Sequence, residues 1–127
     1  MTTITTAGLT RVAAIGAIML LLGAGGSAQT QKPIEIRAER FAFTPSRVSV
    51  TLGDEVQFRL VSDDTGHGFR ILDTDINVAI PKRGQGDVIV RFTPQQAGRI
   101  VFECSRMCGA GHNFMRGEID VKPRSAR

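Results

Sequence analysis

The chain has 127 residues, of which 42% are hydrophobic, and a formal net charge of +4. This length suits one domain and excludes two-domain enzymes, and so high a hydrophobic fraction is not that of a disordered tail. Nucleic-acid binding is not expected, because residues 29–121 hold 12 basic and 12 acidic side chains and show no clustered basic stripe. The excess charge lies in a short basic C-terminal tail with Lys122, Arg124 and Arg127, which we expect to be solvated.

An uncharged apolar run opens the chain. Arg11 precedes residues 12–24, which contain no charged or polar side chain, and Gly26-Ser27-Ala28 supplies the small residues that signal peptidase accepts. We therefore expect residues 1–28 to be a signal peptide and residues 29–127 to be the mature domain. The alternative is an uncleaved membrane anchor through residues 12–28, although this run is short for a spanning helix of about 20 residues. Either way the domain is exported, as a periplasmic protein or at the periplasmic face of the inner membrane.

The rest of the chain alternates hydrophobic and polar residues with a period of two, which is typical of strands with one face in a core. The alternating runs are residues 34–36, 48–52, 56–60, 88–92, 100–102 and 119–121. Turn residues such as Thr44-Pro45-Ser46 and Gly53-Asp54 separate these runs, and no stretch after residue 30 shows a helical stripe. The pattern predicts an all-β sandwich or barrel of about seven or eight strands.

One predicted loop carries several residue types that bind metals. It reads Cys104-Ser105-Arg106-Met107-Cys108-Gly109-Ala110-Gly111-His112-Asn113-Phe114-Met115, the pattern C-x3-C-G-x2-H-x2-M. Thiolates and thioethers favour copper over magnesium or calcium, whereas zinc has little use for Met and iron–sulfur clusters need four thiolates. A single blue-copper ion needs one Cys, so the second thiolate would allow both cysteines to bridge two copper ions.

Two copper ions would need a second His, and the chain offers His67 in Asp63-Asp64-Thr65-Gly66-His67-Gly68-Phe69, at the predicted start of a strand after a turn. One end of a β-sandwich can bring this turn beside the 104–115 loop. The candidate ligands are then two thiolates, two imidazoles, a thioether and a backbone carbonyl of the loop: Cys104, Cys108, His67, His112 and Met115 with that carbonyl. Singly, the cysteines could form a disulfide and Met115 could fill a core, but together these residue types favour a metal site. We expect Phe114 to pack beneath the loop.

These residues resemble a known family. Cys104-Ser105-x-x-Cys108-Gly109-x-x-His112-x-Phe114-Met115 resembles the binuclear copper (CuA) loop of cytochrome c oxidase subunit II, and nitrous oxide reductase has a similar loop. Asp64-Thr65-Gly66-His67-Gly68-Phe69 resembles the segment that supplies the first His of that site. Residues 75–81 resemble the following strand of short bacterial subunit II proteins, and residues 40–54 resemble the opening strands of cupredoxins. The resemblance covers about residues 33–122.

The resemblance implies a Greek-key cupredoxin sandwich that holds two copper ions. By this resemblance, the thiolates of Cys104 and Cys108 bridge both copper ions. His67 and Met115 are the implied further ligands of one ion. His112 and the backbone carbonyl of Arg106 are those of the other. The Arg106 side chain stands where the family usually has Glu, so a magnesium contact of that side chain is not implied. Because the chain has no Trp or Tyr, Phe69 is the predicted aromatic side chain through which electrons would enter beside His67.

Three functions fit these residues. The first is a one-electron carrier, the subunit II component of an oxidase with no catalytic residues of its own, which takes electrons from a c-type cytochrome or another exported donor. It would pass them to an acceptor such as oxidase subunit I. The second is a periplasmic copper-binding or copper-delivery cupredoxin without a respiratory role. The third, a redox dithiol protein, is disfavoured because Cys-x3-Cys lacks the Cys-x-x-Cys spacing of thioredoxin-like proteins.

Overall fold

A computed structural model describes residues 32–126, and the expected signal or anchor segment lies outside these residues. The strands, in chain order, are β1 (Ile34–Glu39), β2 (Ala42–Thr44), β3 (Arg47–Thr51), β4 (Val56–Ser62), β5 (His67–Ile71), β6 (Asn77–Ile80), β7 (Val88–Phe92), β8 (Gly98–Glu103) and β9 (Arg116–Lys122). A single-turn 3-10 helix, His112–Phe114, precedes β9, and no helix within residues 32–126 is long and apolar enough to cross a membrane.

The predicted all-β class is confirmed, with nine described strands in place of seven or eight. Three strands lie outside the six alternating runs, namely β2, β5 and β6. The shortest is β2, whose three residues are too few to display a period of two. Its place in the sheet depends on pairing with β1, where Glu39 lies opposite Ala42. Such pairing is a contact between segments, so the alternation within one short segment does not reveal it.

The strands form two sheets that pack face to face as a β-sandwich. The four-stranded sheet has the order β2-β1-β4-β7, and the five-stranded sheet has the order β3-β9-β8-β5-β6. Neighbouring strands are antiparallel except for β1 beside β4 and β3 beside β9, which are parallel. Parallel neighbours cannot be joined by a tight hairpin. Here the chain passes through the opposite sheet between the two strands of each parallel pair.

Aromatic rings from both sheets fill the core. Phe58 of the four-stranded sheet lies 6.1 Å from Phe69 of the five-stranded sheet, measured between ring centroids. Phe43 and Phe102 join the sheets in the same way, with centroids 5.3 Å apart and an edge-to-face angle of 70°. All four rings are almost completely buried. The alternation that predicts the strands therefore also identifies the faces that form the core.

Both ends of the described chain lie at the end of the sandwich away from the 104–115 loop. The parallel register places Ile34, at the start of β1, opposite Phe58 near the start of β4. At the other terminus, the backbone N–H of Leu52 donates to the carbonyl of Lys122 over 2.9 Å. The C-terminal tail is exposed over residues 122–126, and within it the Arg124 guanidinium donates to the Leu52 carbonyl over 3.1 Å and pairs with Asp54.

Candidate metal centre

The loop of residues 104–115 is closed at its base by the hairpin of β8 and β9. Glu103 lies opposite Arg116 in the register of the two strands, and the backbone N–H of Cys104 donates to the carbonyl of Met115 over 3.0 Å. The last and first residues of the loop are therefore fixed by the sheet. Within the loop, the N–H of His112 donates to the Gly109 carbonyl over 3.1 Å, which turns the imidazole back toward the cysteines.

Two thiols and two imidazoles converge between this loop and strand β5. The Sγ atoms of Cys104 and Cys108 lie 3.9 Å apart. The Nδ1 atom of His67, the first residue of β5, lies 4.0 Å from Cys104 Sγ. The Nδ1 atom of His112 lies 3.8 Å from Cys108 Sγ. Each thiol thus has one imidazole nitrogen beside it, and His67, Cys104 and Cys108 form a cluster of buried potential metal ligands.

The two weaker candidate ligands lie at the same place. The Sδ atom of Met115 is 3.8 Å from Cys108 Sγ, and Met115 is fully buried. The backbone carbonyl oxygen of Arg106 is 3.1 Å from Cys104 Sγ. The structure therefore brings together all six candidate ligands that the sequence indicates, although they come from two separate segments of the chain.

The spacing of these atoms fits ligands that share metal ions. A metal–sulfur bond of about 2.3 Å allows two sulfur ligands of one ion to lie at most about 4.6 Å apart. The Sγ–Sγ distance of 3.9 Å is within this limit, and it is far longer than a disulfide bond of about 2.05 Å. Both cysteines are free thiols. Their soft sulfur atoms, together with imidazole and thioether, form the set of donors that suits copper.

The protonation of the thiols opposes binding until a metal displaces the proton. Burial, with the neighbouring Cys104 as a second cause, raises the pKa of the Cys108 thiol to about 11. A metal ion needs the thiolate, so binding at Cys108 must release a proton, and the apparent affinity rises with pH while the Cys108 thiol remains protonated.

A carboxylate orients the first imidazole. The Nε2 atom of His67 lies 2.7 Å from Oδ1 of Asp64, so Nε2–H can donate there while Nδ1 faces the thiol. Burial works to raise the pKa of Asp64, but hydrogen bonds from His67 and from the backbone N–H groups of Arg40 and Thr65 outweigh it, and the pKa lies below its usual value. Such carboxylates fix the tautomer of a metal-binding His and its ring orientation. Asp64 precedes His67 by three residues, and this spacing is the one sign of the contact in the sequence.

The turn between β1 and β2 holds the loop from its outer side. The Nε atom of Arg40 donates to the backbone carbonyl of Cys108 over 2.8 Å. The Phe41 ring lies so close to Gly111 that a Cβ there would overlap it, and a Cβ on Gly109 would be 2.8 Å from the same ring. The glycines after the second cysteine therefore allow Phe41 to cover the loop, which the C-G-x2-H pattern alone does not show.

Strand β5 approaches the loop equally closely at Gly68. The backbone N–H of Gly68 donates to Cys104 Sγ over 3.5 Å. A Cβ at this position would overlap the Ser105 hydroxyl and lie 2.8 Å from the backbone nitrogen of Arg106. Glycine next to His67 is thus required for the strand and the loop to meet, and it contributes a hydrogen bond to one thiol.

Two predictions for aromatic residues are wrong. Phe114 does not pack beneath the loop, because 84% of it is exposed. Phe69 is fully buried, with its ring centroid 5.1 Å from that of Phe102, so it cannot meet an electron donor at the surface. The direction of a side chain within an irregular loop follows from backbone angles that a short motif does not specify, and Phe69 occupies an inward position of β5.

The fold and the site define this chain as a cupredoxin. Residues 12–121 match the family model described as the cupredoxin-like domain, and the chain belongs to that family. It is 36% identical over 93 residues to cytochrome c oxidase subunit 2 from Thermus thermophilus, an alignment that covers 72% of this chain and 67% of the relative. The predicted kinship with oxidase subunit II is therefore confirmed, and this kinship points to copper binding.

Solved structures agree with this placement. A chain of a haem–copper terminal oxidase dimer is 26% identical, with a TM-score of 0.61, and the match covers 70% of this chain and 60% of that one. The periplasmic domain of subunit II of cytochrome oxidase from Bradyrhizobium japonicum has a TM-score of 0.64 over 72% of this chain and 83% of that one. At 15% identity, the second match shows the shared fold alone.

Proposed function

We propose that this chain transfers single electrons through a binuclear copper centre of the CuA type, as the subunit II-like component of a respiratory oxidase. The observation that carries the proposal is the paired arrangement of ligands. Two buried thiols lie 3.9 Å apart, and each has its own imidazole, His67 beside Cys104 and His112 beside Cys108. A single blue-copper ion takes one Cys, two His and a weak Met ligand, so it would leave one thiol unused, whereas two ions that share both thiolates would use every donor.

In this proposal the six ligands divide between two copper ions. Cys104 and Cys108 would hold both ions, His67 and Met115 would complete the ligands of one, and His112 and the Arg106 carbonyl would complete those of the other. When bound, copper takes up and releases one electron. The chain holds the ligands still, because the β8–β9 hairpin closes the loop, Asp64 orients His67 and Arg40 fixes the backbone at Cys108. A site held in this way changes its geometry little between redox states, which favours rapid electron transfer.

The proposed partners and location come from the relatives. We infer that the electron donor is a c-type cytochrome or another exported carrier and that the acceptor is subunit I of a haem–copper oxidase. We infer also that the domain is exported and that residues 1–28 are its signal peptide or anchor. The relatives named as cytochrome c oxidase subunit 2 support these inferences.

Copper stoichiometry and electron paramagnetic resonance of the copper-loaded chain test this proposal. We expect two copper ions per chain that share one unpaired electron, with the seven-line hyperfine pattern that the family resemblance implies. Loading is done with reduced thiols and at a pH that favours thiolates, because the pKa of Cys108 is raised. A single copper ion with a four-line spectrum, or a colourless Cu(I) protein, would contradict the proposal and favour copper binding or delivery.

A further inference from the structure

The end of the sandwich that carries the candidate centre presents a continuous outer surface, here called the metal-end face. It consists of exposed residues of the loop and of two adjacent turns: Arg40, Phe41, Lys82, Arg83, Arg106, Met107 and Phe114. The turn after β6 belongs to it because His67 lies opposite Ile80 in the sheet, and because the backbone N–H of Arg83 donates to the Asp64 carbonyl over 3.1 Å.

Most of the large hydrophobic side chains that are exposed in the described part of the chain lie on this face. Four large hydrophobic side chains are exposed within residues 32–126, and three of them belong to the face: Phe41, Met107 and Phe114, which are 37%, 77% and 84% exposed. The fourth, Ile89, lies on β7. Such clusters of exposed aromatic and Met side chains are typical of surfaces that bind a partner.

The charged side chains of the face are unevenly paired. Among residues 32–126, no carboxylate lies within 4.0 Å of the charged groups of Arg40, Lys82, Arg83 and Arg106. The neighbouring acids are mostly paired within the chain. Asp63 pairs with Arg37 over 3.2 Å, Asp87 pairs with Arg59, and Asp64 contacts His67; Glu39 remains exposed without an ion pair. The positive charges are therefore left for an outside partner.

A polar recess beside His112 adds to this imbalance. It is lined by His112 and Asn113 together with Arg70, Glu103 and Arg116, and its volume is about 140 Å³. Two guanidinium groups share the single carboxylate of Glu103, Arg116 over 3.2 Å and Arg70 in direct contact. One positive charge thus remains uncompensated beside His112, which is more exposed than His67.

We propose that the metal-end face docks an electron-transfer protein whose own surface carries carboxylates around an apolar centre, such as a c-type cytochrome of acidic isoelectric point. Unpaired Arg and Lys side chains attract that rim over long range, and the exposed Phe and Met side chains supply short-range contact. A cytochrome with a lysine-rich rim would meet like charges and be repelled. The inference rests on the proposed electron-transfer function for its purpose, but the association is measurable on its own.

The test compares two c-type cytochromes, one of acidic and one of basic isoelectric point. The association rate of each with the full chain is measured at increasing salt concentration. Both the metal-free and the copper-loaded chain are used. The variants are Arg106→Glu and Phe114→Ser. Their matched controls are Arg91→Glu and Ile89→Ser, which make the same changes on exposed residues of β7. Steered association changes by about 10-fold or more with such charge changes at low salt.

We expect the acidic cytochrome to associate faster, to slow down as salt increases, and to slow about 10-fold in Arg106→Glu at low salt, with Arg91→Glu close to the unmodified chain. We expect Phe114→Ser to speed dissociation and Ile89→Ser to have little effect. Faster association of the basic cytochrome, equal effects of test and control variants, or no association with either cytochrome would overturn the inference. If these results hold but the copper spectrum is not binuclear, the docking inference stands and the proposed function fails.

Discussion

The body of the sandwich and the 104–115 loop are ordered by different physical means. In the body, residues alternate between core and solvent, and neighbouring strands repeat the same backbone hydrogen bonds. In the loop, few hydrogen bonds repeat, and single contacts from outside hold the chain: Arg40 on the Cys108 carbonyl, Phe41 over two glycines, and Gly68 against Ser105. The body therefore tolerates change through many similar contacts, while the loop depends on individual ones.

This difference separates stability from metal binding. Core burial supplies most of the favourable free energy of folding, and most core residues lie on the strands, whereas the loop contributes three of them, Cys104, Cys108 and Met115. Variants of the body should therefore reduce stability first, and variants of the loop should reduce copper binding first. The following substitutions test that separation, beginning with the largest expected effect.

The largest effect is expected for Phe69→Ala in the body. The Phe69 ring is fully buried and contacts the rings of Phe43, Phe58 and Phe102, so its removal should lower the free energy of unfolding by about 3–5 kcal/mol. Chemical denaturation of the metal-free chain measures this loss. Phe114→Ala is the matched control, because its exposed ring should contribute little; an equal loss in both variants would contradict the separation.

Next in size is Cys108→Ser in the loop. We expect the binuclear site to be lost, since serine cannot act as a bridging thiolate, while the free energy of unfolding of the metal-free chain changes by about 1 kcal/mol or less. Copper content and the visible spectrum measure the loss of the binuclear site, and chemical denaturation of the metal-free chain measures the change in stability. A Cys108→Ser chain that retains two copper ions and an unchanged spectrum would rule out the assigned bridge.

An intermediate effect is expected for Gly68→Ala, where body and loop meet. The added methyl group would overlap Ser105, and such overpacking costs about 1–3 kcal/mol. Because the loop is the less constrained partner, it should move, weakening the N–H contact to Cys104 Sγ and the affinity for copper. Gly66→Ala is the control, since its nearest neighbour, the Ile80 carbonyl oxygen, would lie 3.7 Å away. Copper titration of both variants should show a weakening in Gly68→Ala alone.

The smallest effect is expected for Met115→Leu. We predict that both copper ions remain bound and that the reduction potential changes, because a weak axial ligand tunes the potential more than the affinity. Leucine has a similar volume, so the buried position should remain filled. Met107→Leu, an exposed residue of the same loop, should leave the potential unchanged. Equal potentials in the Met115→Leu variant and the unmodified chain would count against Met115 as a ligand.

Much of the body could be predicted because its information is local. The alternation at residues 56–60 and 88–92 indicates both the strands and their inward faces, and β4 and β7 confirm it. What could not be predicted depends on distant segments. The parallel pairing of β3 with β9 and the three-residue strand β2 exist only through their partners.

The candidate site divides in the same way. The candidate ligands could be named because copper chemistry restricts the residue types and their spacing in Cys104-x3-Cys108-x3-His112-x2-Met115. The supporting contact of Arg40 could not be predicted, because Arg40 reaches the loop across 68 positions of the chain. The burial of Glu103 could not be predicted either, because Arg70 and Arg116, which cover it, lie on two other strands.

The parallel pairing of β3 with β9 also determines when the centre can form during folding. Arg47 and its partner Glu118 are separated by 71 positions, and β9 lies between β3 and β8 in the sheet. Pairings so distant in sequence form slowly, and the base of the loop closes only after β9 has docked. An emerging chain therefore acquires a complete set of ligands at the end of folding. We expect copper to enter a domain that has already folded, and copper supply to leave the earlier steps of folding unaffected.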